Sequence, residues 1–270
     1  MTIPLEDLFG DVVGKAQRGL GLSNQQLADR ARVSEAAVEA VKAGAPDAIT
    51  LHRLAPVLGL HAESLEIMAE HGWHPEPVDL PGLAQFNTPF HDMTVNAYLI
   101  WDPVTHEAAA FDTGATARPI IDKIHSLKLK LRYLFLTHTH PDHVADIASL
   151  NAPEILVSER EPHGDAQTFT PGAAWHLGSL KIESRSTWGH SKGGTTYVVH
   201  GLARPIAIVG DALFASSMGG GAVSYTDALT TNRQEIFTLP DNTIICPGHG
   251  PLTTVAEEKA HNPFYPEFKN

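Results

Sequence analysis

Tyr133-Leu134-Phe135-Leu136, running directly into Thr137-His138-Thr139-His140-Pro141-Asp142-His143, is the stretch on which the reading of this chain turns. An apolar strand ends in three imidazoles and a carboxylate within six residues. Packing does not account for such a cluster. Imidazole lone pairs and a carboxylate drawn together out of water are costly unless a cation compensates them. Imidazole with carboxylate suits zinc, iron, manganese and related divalent ions. His138 and His140 lie two apart, so both can point to one side of an extended segment. Asp142 and His143 are adjacent and diverge, which suits a second metal beside the first.

Further along, three pieces repeat the theme. Thr187-Trp188-Gly189-His190-Ser191-Lys192-Gly193-Gly194 places a histidine in a glycine-rich turn. Ile208-Val209-Gly210-Asp211 places a carboxylate straight after a buried strand, and Ile244-Ile245-Cys246-Pro247-Gly248-His249 places a histidine in a Pro/Gly turn after another. Polar residues at the C-terminal ends of apolar strands are where α/β folds collect their ligands. Any one of these could be an ordinary turn residue; beside the first cluster, all three being idle is improbable. Cys246 lies inside an apolar strand and reads as a core residue rather than a ligand.

Around these motifs the chain of 270 residues divides in two. Residues 1–72 read as a small all-α domain, with apolar positions at helical spacing: Leu27 and Ala31, Val38 and Val41, then Leu51, Leu54 and Leu58. Ser23 can cap a helix over 24–31 and Ser34 a second over 35–43, with Gly44 as its stop. Residues 73–82, rich in proline, read as a linker. Residues 83–270 alternate strands with helices. The expected strands are 95–101, 108–111, 132–136, 154–157, 196–199, 206–209 and 243–246. The expected helices are 117–127, 142–150, 225–239 and 255–261. That alternation predicts an α/β fold with helices covering the sheets.

Composition narrows the function classes. Hydrophobic residues make up 43% of the chain, ordinary for a protein with a real core, which excludes a disordered or collagen-like chain. No apolar run approaches the ~20 residues that span a bilayer. The acidic N-terminus lacks the pattern of a secretory signal, and a single cysteine fits a reducing compartment, so the expected location is the cytoplasm. A net charge of −12 disfavours phosphate backbones and anionic membranes, so no nucleic acid and no membrane is expected. The expected partners are a small-molecule substrate and, through the helical N-terminal unit, a second copy of the chain.

Taken together, the motifs resemble those of the metallo-β-lactamase superfamily of hydrolases. The cluster from His138 to His143 matches that family's H-x-H-x-D-H pattern in full. His190, Asp211 and His249 stand where its third, fourth and fifth motifs lie. Phe111-Asp112-Thr113-Gly114 resembles its first, an aspartate at a strand end that supports the metal loops. The resemblance covers roughly residues 78–270 and implies an αββα sandwich with the site on one edge. It further implies that one metal takes His138, His140 and His190, that the other takes Asp142, His143 and His249, and that Asp211 bridges both. Two divalent ions are then expected, zinc first, with iron or manganese as the other candidates. A bridging water would be the nucleophile, with Asp142 and Asp211 as the catalytic carboxylates and Asp112 supporting from behind.

Asp211 speaks against true β-lactamases, which lack this bridging residue. Gly210-Asp211-Ala212-Leu213-Phe214 and Pro247 to Thr254 are similar to the glyoxalase II-like group, which hydrolyses thioesters such as S-lactoylglutathione. Glutathione-handling relatives carry Gly-Arg after the Gly-Asp-x-Leu-Phe motif; this chain has Gly220 where that arginine stands. Lys192 could supply a substitute anion contact or be a solvated loop lysine. Tyr225 and His91 could line the pocket or be structural. A second branch, the mono-iron persulfide dioxygenases, shares the fold. Leu22 to Leu60 resembles the Cro/C1-type helix-turn-helix, which implies a third possibility, a DNA-binding regulator with a metabolite-sensing hydrolase domain. Residues 1–70 carry six basic against ten acidic side chains, and Ser34 to Lys42 offers two glutamates and several alanines where base readout wants Arg, Lys, Asn or Gln. A helical unit used for dimerisation or for covering the active site is the expectation.

Overall fold

The computed structural model describes residues 3–269, and its frame is two six-stranded sheets laid face to face. The first runs in chain order: β1 (Leu83–Phe90), β2 (Met93–Trp101), β3 (Glu107–Phe111), β4 (Lys130–Phe135), β5 (Glu154–Ser158) and β6 (Gln167–Phe169). Strands β1 to β3 pair antiparallel and β3 to β6 parallel. The second comprises β7 (Ala174–Leu177), β8 (Leu180–Ser186), β9 (Thr195–His200), β10 (Ile206–Gly210), β11 (Ile244–Pro247) and β12 (Thr253–Thr254). All its pairs are antiparallel except β10 with β11.

Alternation along each strand builds the layers, because successive side chains leave opposite faces. On β2, Tyr98 and Ile100 enter the core between the sheets while Ala97 and Leu99 face outward. Strand β10 sends Ile206 and Ile208 inward, and Ala207 and Val209 outward. On β11 Ile244 and Cys246 point inward, so the cysteine is a fully buried core residue whose thiol pKa is pushed up by burial. Outside the first sheet lie α6 (Arg118–Leu127), α7 (Pro141–Val144) and α8 (Ile147–Leu150).

The outer face of the second sheet carries α9 (Tyr225–Thr231), α10 (Val255–His261) and the whole N-terminal set. That set comprises α1 (Phe9–Gly19), α2 (Asn24–Ala31), α3 (Glu35–Lys42), α4 (Ala48–Leu58) and α5 (Ala62–Ala69). One apolar cluster runs from Val12, Leu27 and Leu54 through to Val209, Leu213, Ile245 and Phe264. Ser23 and Ser34 cap α2 and α3 as expected, accepting from the backbone of Gln26 and Ala37 at 3.1 Å each. Residues 73–82 carry neither helix nor strand. Among the described residues no helix is long and apolar enough to cross a membrane.

Departures from the sequence reading have local causes. The helix expected over 142–150 is broken into α7 and α8. Asp146 lies between them with φ of −135°, and its carboxylate turns back to the start of α6, accepting from Ala117 N at 2.8 Å. The helix expected over 225–239 passes into a π-helical turn at Asn232–Ile236. There the buried Asn232 amide donates to Ala212 O at 2.6 Å and meets the Tyr265 hydroxyl at 2.7 Å. Strand β1 was not anticipated because it contains Pro89, which an edge strand tolerates. Helix α1 was hidden by glycines; a Cβ on Gly10 would sit 2.8 Å from the carbonyl of Lys42, so glycine is what lets α1 meet α3.

Phe135 stands at the centre of the sandwich, its ring 4.9 Å from Tyr197, 5.0 Å from Trp175 and 5.2 Å from Phe111. Phe135→Ala should lower unfolding free energy by about 3–5 kcal/mol in guanidinium titrations. A loss below about 1 kcal/mol would mean that the inter-sheet core does not close around this ring.

Candidate metal centre

Each of the expected ligands stands just beyond a strand, on one edge of the sandwich. The loop from β4 into α7 carries His138, His140, Asp142 and His143. The loop from β8 to β9 carries His190. Asp211 directly follows β10, and His249 follows β11. Strands bring these loops together by register: Gly210 pairs with Pro247, so Asp211 and the Gly248-His249 turn emerge side by side. Gly248 makes this approach possible, since a Cβ there would lie 2.0 Å from Asp211 Oδ1.

Seven side chains converge in two groups. His138, His140, His190 and Asp211 each offer one donor atom to the first; Asp142, His143 and His249 make the second. In the first group His140 Nδ1 lies 3.1 Å from His138 Nε2 and 3.0 Å from His190 Nε2. In the second, Asp142 Oδ2 is 3.3 Å from His249 Nε2 and 3.5 Å from His143 Nε2. Asp211 stands between them: Oδ2 is 3.3 Å from His190 Nε2 and 3.5 Å from His249 Nε2, and Oδ1 is 3.3 Å from His143 Nε2.

The outer nitrogens of four of these rings are committed elsewhere. His190 Nδ1 donates to Gly220 O at 2.9 Å and His249 Nδ1 to Thr94 O at 2.7 Å, both carbonyls that can only accept. His143 Nδ1 donates to Asp112 Oδ2 at 2.8 Å. His138 Nδ1 meets Thr137 Oγ1 at 3.0 Å, and that hydroxyl in turn donates to Asp112 Oδ2 at 2.7 Å. Each Nε2 therefore presents a lone pair to the cluster, as metal-binding histidines do when their other nitrogen is anchored. His143 Nε2 and Asp211 Oδ1 are buried without a hydrogen-bond partner. Converging lone pairs and orphaned buried atoms are what a divalent cation would satisfy, so the residues present fit metal.

Electrostatics point the same way. Burial opposes charging His143 and His249, yet the nearby carboxylates, Asp211 foremost, outweigh it and raise their pKa values to about 10 and about 11. Burial likewise opposes ionising Asp211, but the charges of His143 and His249 hold its carboxyl well below the usual range. His138 goes the other way: burial and the charge on His143 push it well below its ordinary value. The cluster thus has a strong appetite for positive charge, which protons or metal ions can supply.

Residues 92–176 match the family described as the metallo-beta-lactamase superfamily. A protein of Streptococcus pyogenes described as a probable metallo-hydrolase is 32% identical over 185 residues, 57% of this chain and 79% of that one. This chain belongs to the metallo-β-lactamase superfamily. The hydroxyacylglutathione hydrolase GloC of Haemophilus influenzae is 29% identical over 197 residues, 63% of this chain and 92% of that one. The mouse mitochondrial persulfide dioxygenase ETHE1 is 30% identical over 178 residues, 62% of this chain and 69% of that one.

Within the superfamily fold, Asp112 takes the supporting place expected for it. Its backbone adopts φ of +57°, a left-handed turn that aims both carboxylate oxygens at the metal loop. Three other residues complete the frame and were not singled out from sequence. Glu161 accepts from Thr139 N at 2.9 Å and Gly193 N at 2.7 Å, tying the His138–His140 segment to the His190 loop. Asn96 donates to Pro247 O and Gly250 O at 2.9 and 2.8 Å, and Tyr98 to Pro247 O at 2.7 Å, fixing the His249 turn. A glutamate in a loop and an asparagine in a strand carry no local signature of such roles.

The three suggested substrate contacts differ in burial. His91 is exposed in the β1–β2 turn, its ring 4.6 Å from that of Phe90. Lys192 is exposed and makes no hydrogen bond to a described residue. Tyr225 is buried where Gly19 and Gly221 press on it, and burial pushes its hydroxyl up to about 12.

Asp112→Asn keeps a residue tolerant of the left-handed turn but removes the charge that orients His143. It should weaken metal binding about 10–100-fold in competition with a chromogenic chelator, with the far-UV spectrum unchanged. Unchanged metal affinity would show that Asp112 does not position the ligands.

Proposed function

We propose that this chain is a dinuclear metal-dependent hydrolase that cleaves a thioester or ester-like bond, with zinc as the first candidate ion and iron or manganese as alternatives. The observation that carries this reading is the place of Asp211, whose two oxygens face both donor groups. In the proposed arrangement His138, His140 and His190 hold one ion, Asp142, His143 and His249 the other, and Asp211 both. Such ions, when bound, supply an activated water at neutral pH and polarise a scissile carbonyl.

The chain's own residues keep the site ready for that chemistry. Asp142 is the more exposed of the two catalytic carboxylates, with 12% of its side chain accessible against 8% for Asp211. Burial raises its pKa less than its contacts with His249 and His143 lower it, so it is ionised at neutral pH and can accept a hydrogen bond from the attacking water. Asp112, Thr94 and Gly220 hold the rings of His143, His249 and His190 in fixed tautomers.

The similarity to a hydroxyacylglutathione hydrolase supports a thioester substrate. Similarity to a persulfide dioxygenase supports a second reading, a mono-iron oxidoreductase. The second donor group favours the first reading, because a single ion would leave Asp142, His143 and His249 without a role. As for the helical unit, the face that α3 exposes carries Glu35, Ala36, Glu39 and Ala40 and no Arg, Lys, Asn or Gln to read bases, so dimerisation or covering the site is favoured over reading DNA.

Elemental analysis of protein reconstituted with zinc should give two ions per chain, falling to one or none in Asp211→Ala. Thiol release from S-D-lactoylglutathione should proceed at ordinary enzyme rates, on the order of 1–10³ s⁻¹, and vanish in that variant while it stays folded. Full activity in Asp211→Ala would sink the mechanism. One iron per chain, with oxygen uptake on a persulfide and no thiol release, would establish the second reading.

A further inference from the structure

Beside the metal centre lies a pocket of about 310 Å³ lined by Lys15, Arg18, Gly19, Gly220, Gly221 and Ala222. One wall is the last turns of α1 and the other is the glycine run after Met218. The second wall belongs to the metal centre: Gly220 O accepts the Nδ1 proton of His190 at 2.9 Å, and a Cβ on Gly219 would lie 2.8 Å from the same nitrogen. The pocket and the His190 imidazole thus share one loop. On the pocket side Gly220 has open space, with no atom within 4 Å of where a Cβ would be.

Both charged residues lining the pocket are cations, and they differ in state. Lys15 Nζ is spent on structure, paired with the Asp7 carboxylate and donating to Met218 O at 2.9 Å. Asp7 also takes the Ser217 hydroxyl, so this pair pins the N-terminal segment to the loop. Arg18 is exposed, and its guanidinium forms neither a hydrogen bond nor an ion pair with any described residue. Its side chain folds back over Gly14, where a Cβ would sit 3.1 Å from Nη1. On a chain of net charge −12, a cavity lined by two cations and no carboxylate is the local exception.

We propose that this pocket is a subsite for a carboxylate at the distal end of the substrate, held by Arg18 with Lys15 as a background charge. A guanidinium pairs a carboxylate through two parallel hydrogen bonds, which sets orientation as well as affinity. The N-terminal helical unit thereby contributes to substrate choice, and the favoured substrate is an acidic thioester or ester rather than a neutral one. This rests on the reading of the adjoining centre as a carbonyl hydrolase.

The test uses the full-length, metal-loaded chain and two matched thioesters, S-acetyl-3-mercaptopropionate and S-propyl thioacetate, which differ in the carboxylate. A non-hydrolysable thioether, 3-(propylthio)propionate, reports binding by ligand-observed NMR. Arg18→Gln should reduce the ratio of kcat/KM for the acidic over the neutral probe about tenfold, chiefly through KM, and abolish the thioether signal. Arg18→Lys should retain most of the ratio. An unchanged ratio in Arg18→Gln, or a thioether that wild type does not bind, overturns the subsite while hydrolysis itself stands. Arg18-dependent thioether binding without hydrolysis of either probe would instead keep the subsite and defeat the hydrolase reading.

Discussion

The Asp112 carboxylate is the contact from which the rest of the centre is organised. It takes the Thr137 backbone and hydroxyl at 2.8 and 2.7 Å and the His143 ring at 2.8 Å. Through Thr137 it reaches His138 as well, because the same hydroxyl stands 3.0 Å from that ring's Nδ1. One buried carboxylate thus sets the tautomers of a histidine in each donor group. Its position follows from the sheet: β3 lies parallel to β4, so their C-terminal ends come out together, and Asp112 N donates to Phe135 O at 2.9 Å.

Parallel strand pairs do the same on the other side. Strands β10 and β11 emerge side by side and deliver Asp211 and His249 within contact range. The core between the sheets, built on Phe111, Phe135 and Tyr197, holds the two edges at a fixed separation. Ligands drawn from both sheets can then converge without any one loop supplying more than four of them. Glu161 and Asn96 brace the loops laterally, so each ligand loop is tied to structure beyond itself.

The helical unit is part of this construction. Its apolar faces join the outer face of the second sheet in a single cluster, and α1 ends against Tyr225 and the glycine run beside His190. A segment that composition sets apart from the rest of the chain therefore forms a wall against the loop that anchors His190.

Much of the centre was legible in the chain itself. Three histidines and an aspartate at the end of an apolar strand carry a cost that a cation relieves, and that argument needs no coordinates. Asp211 and His249 were readable because a polar residue right after a buried strand is placed by the strand's own geometry. Cys246 was readable as core from its apolar neighbours. What sequence left open depended on contacts between distant segments. The break at Asp146 comes from its bond to Ala117, and the π-turn at Asn232 from its bond to Ala212. Glu161 has no local mark of its role. Arg18 came to the site's edge because apolar burial docked α1 on the second sheet. Short-range chemistry names the donors; which cations stand beside the loop that anchors His190 is decided by packing between segments some 200 residues apart, as the contact of Lys15 with Met218, at a separation of 203, shows.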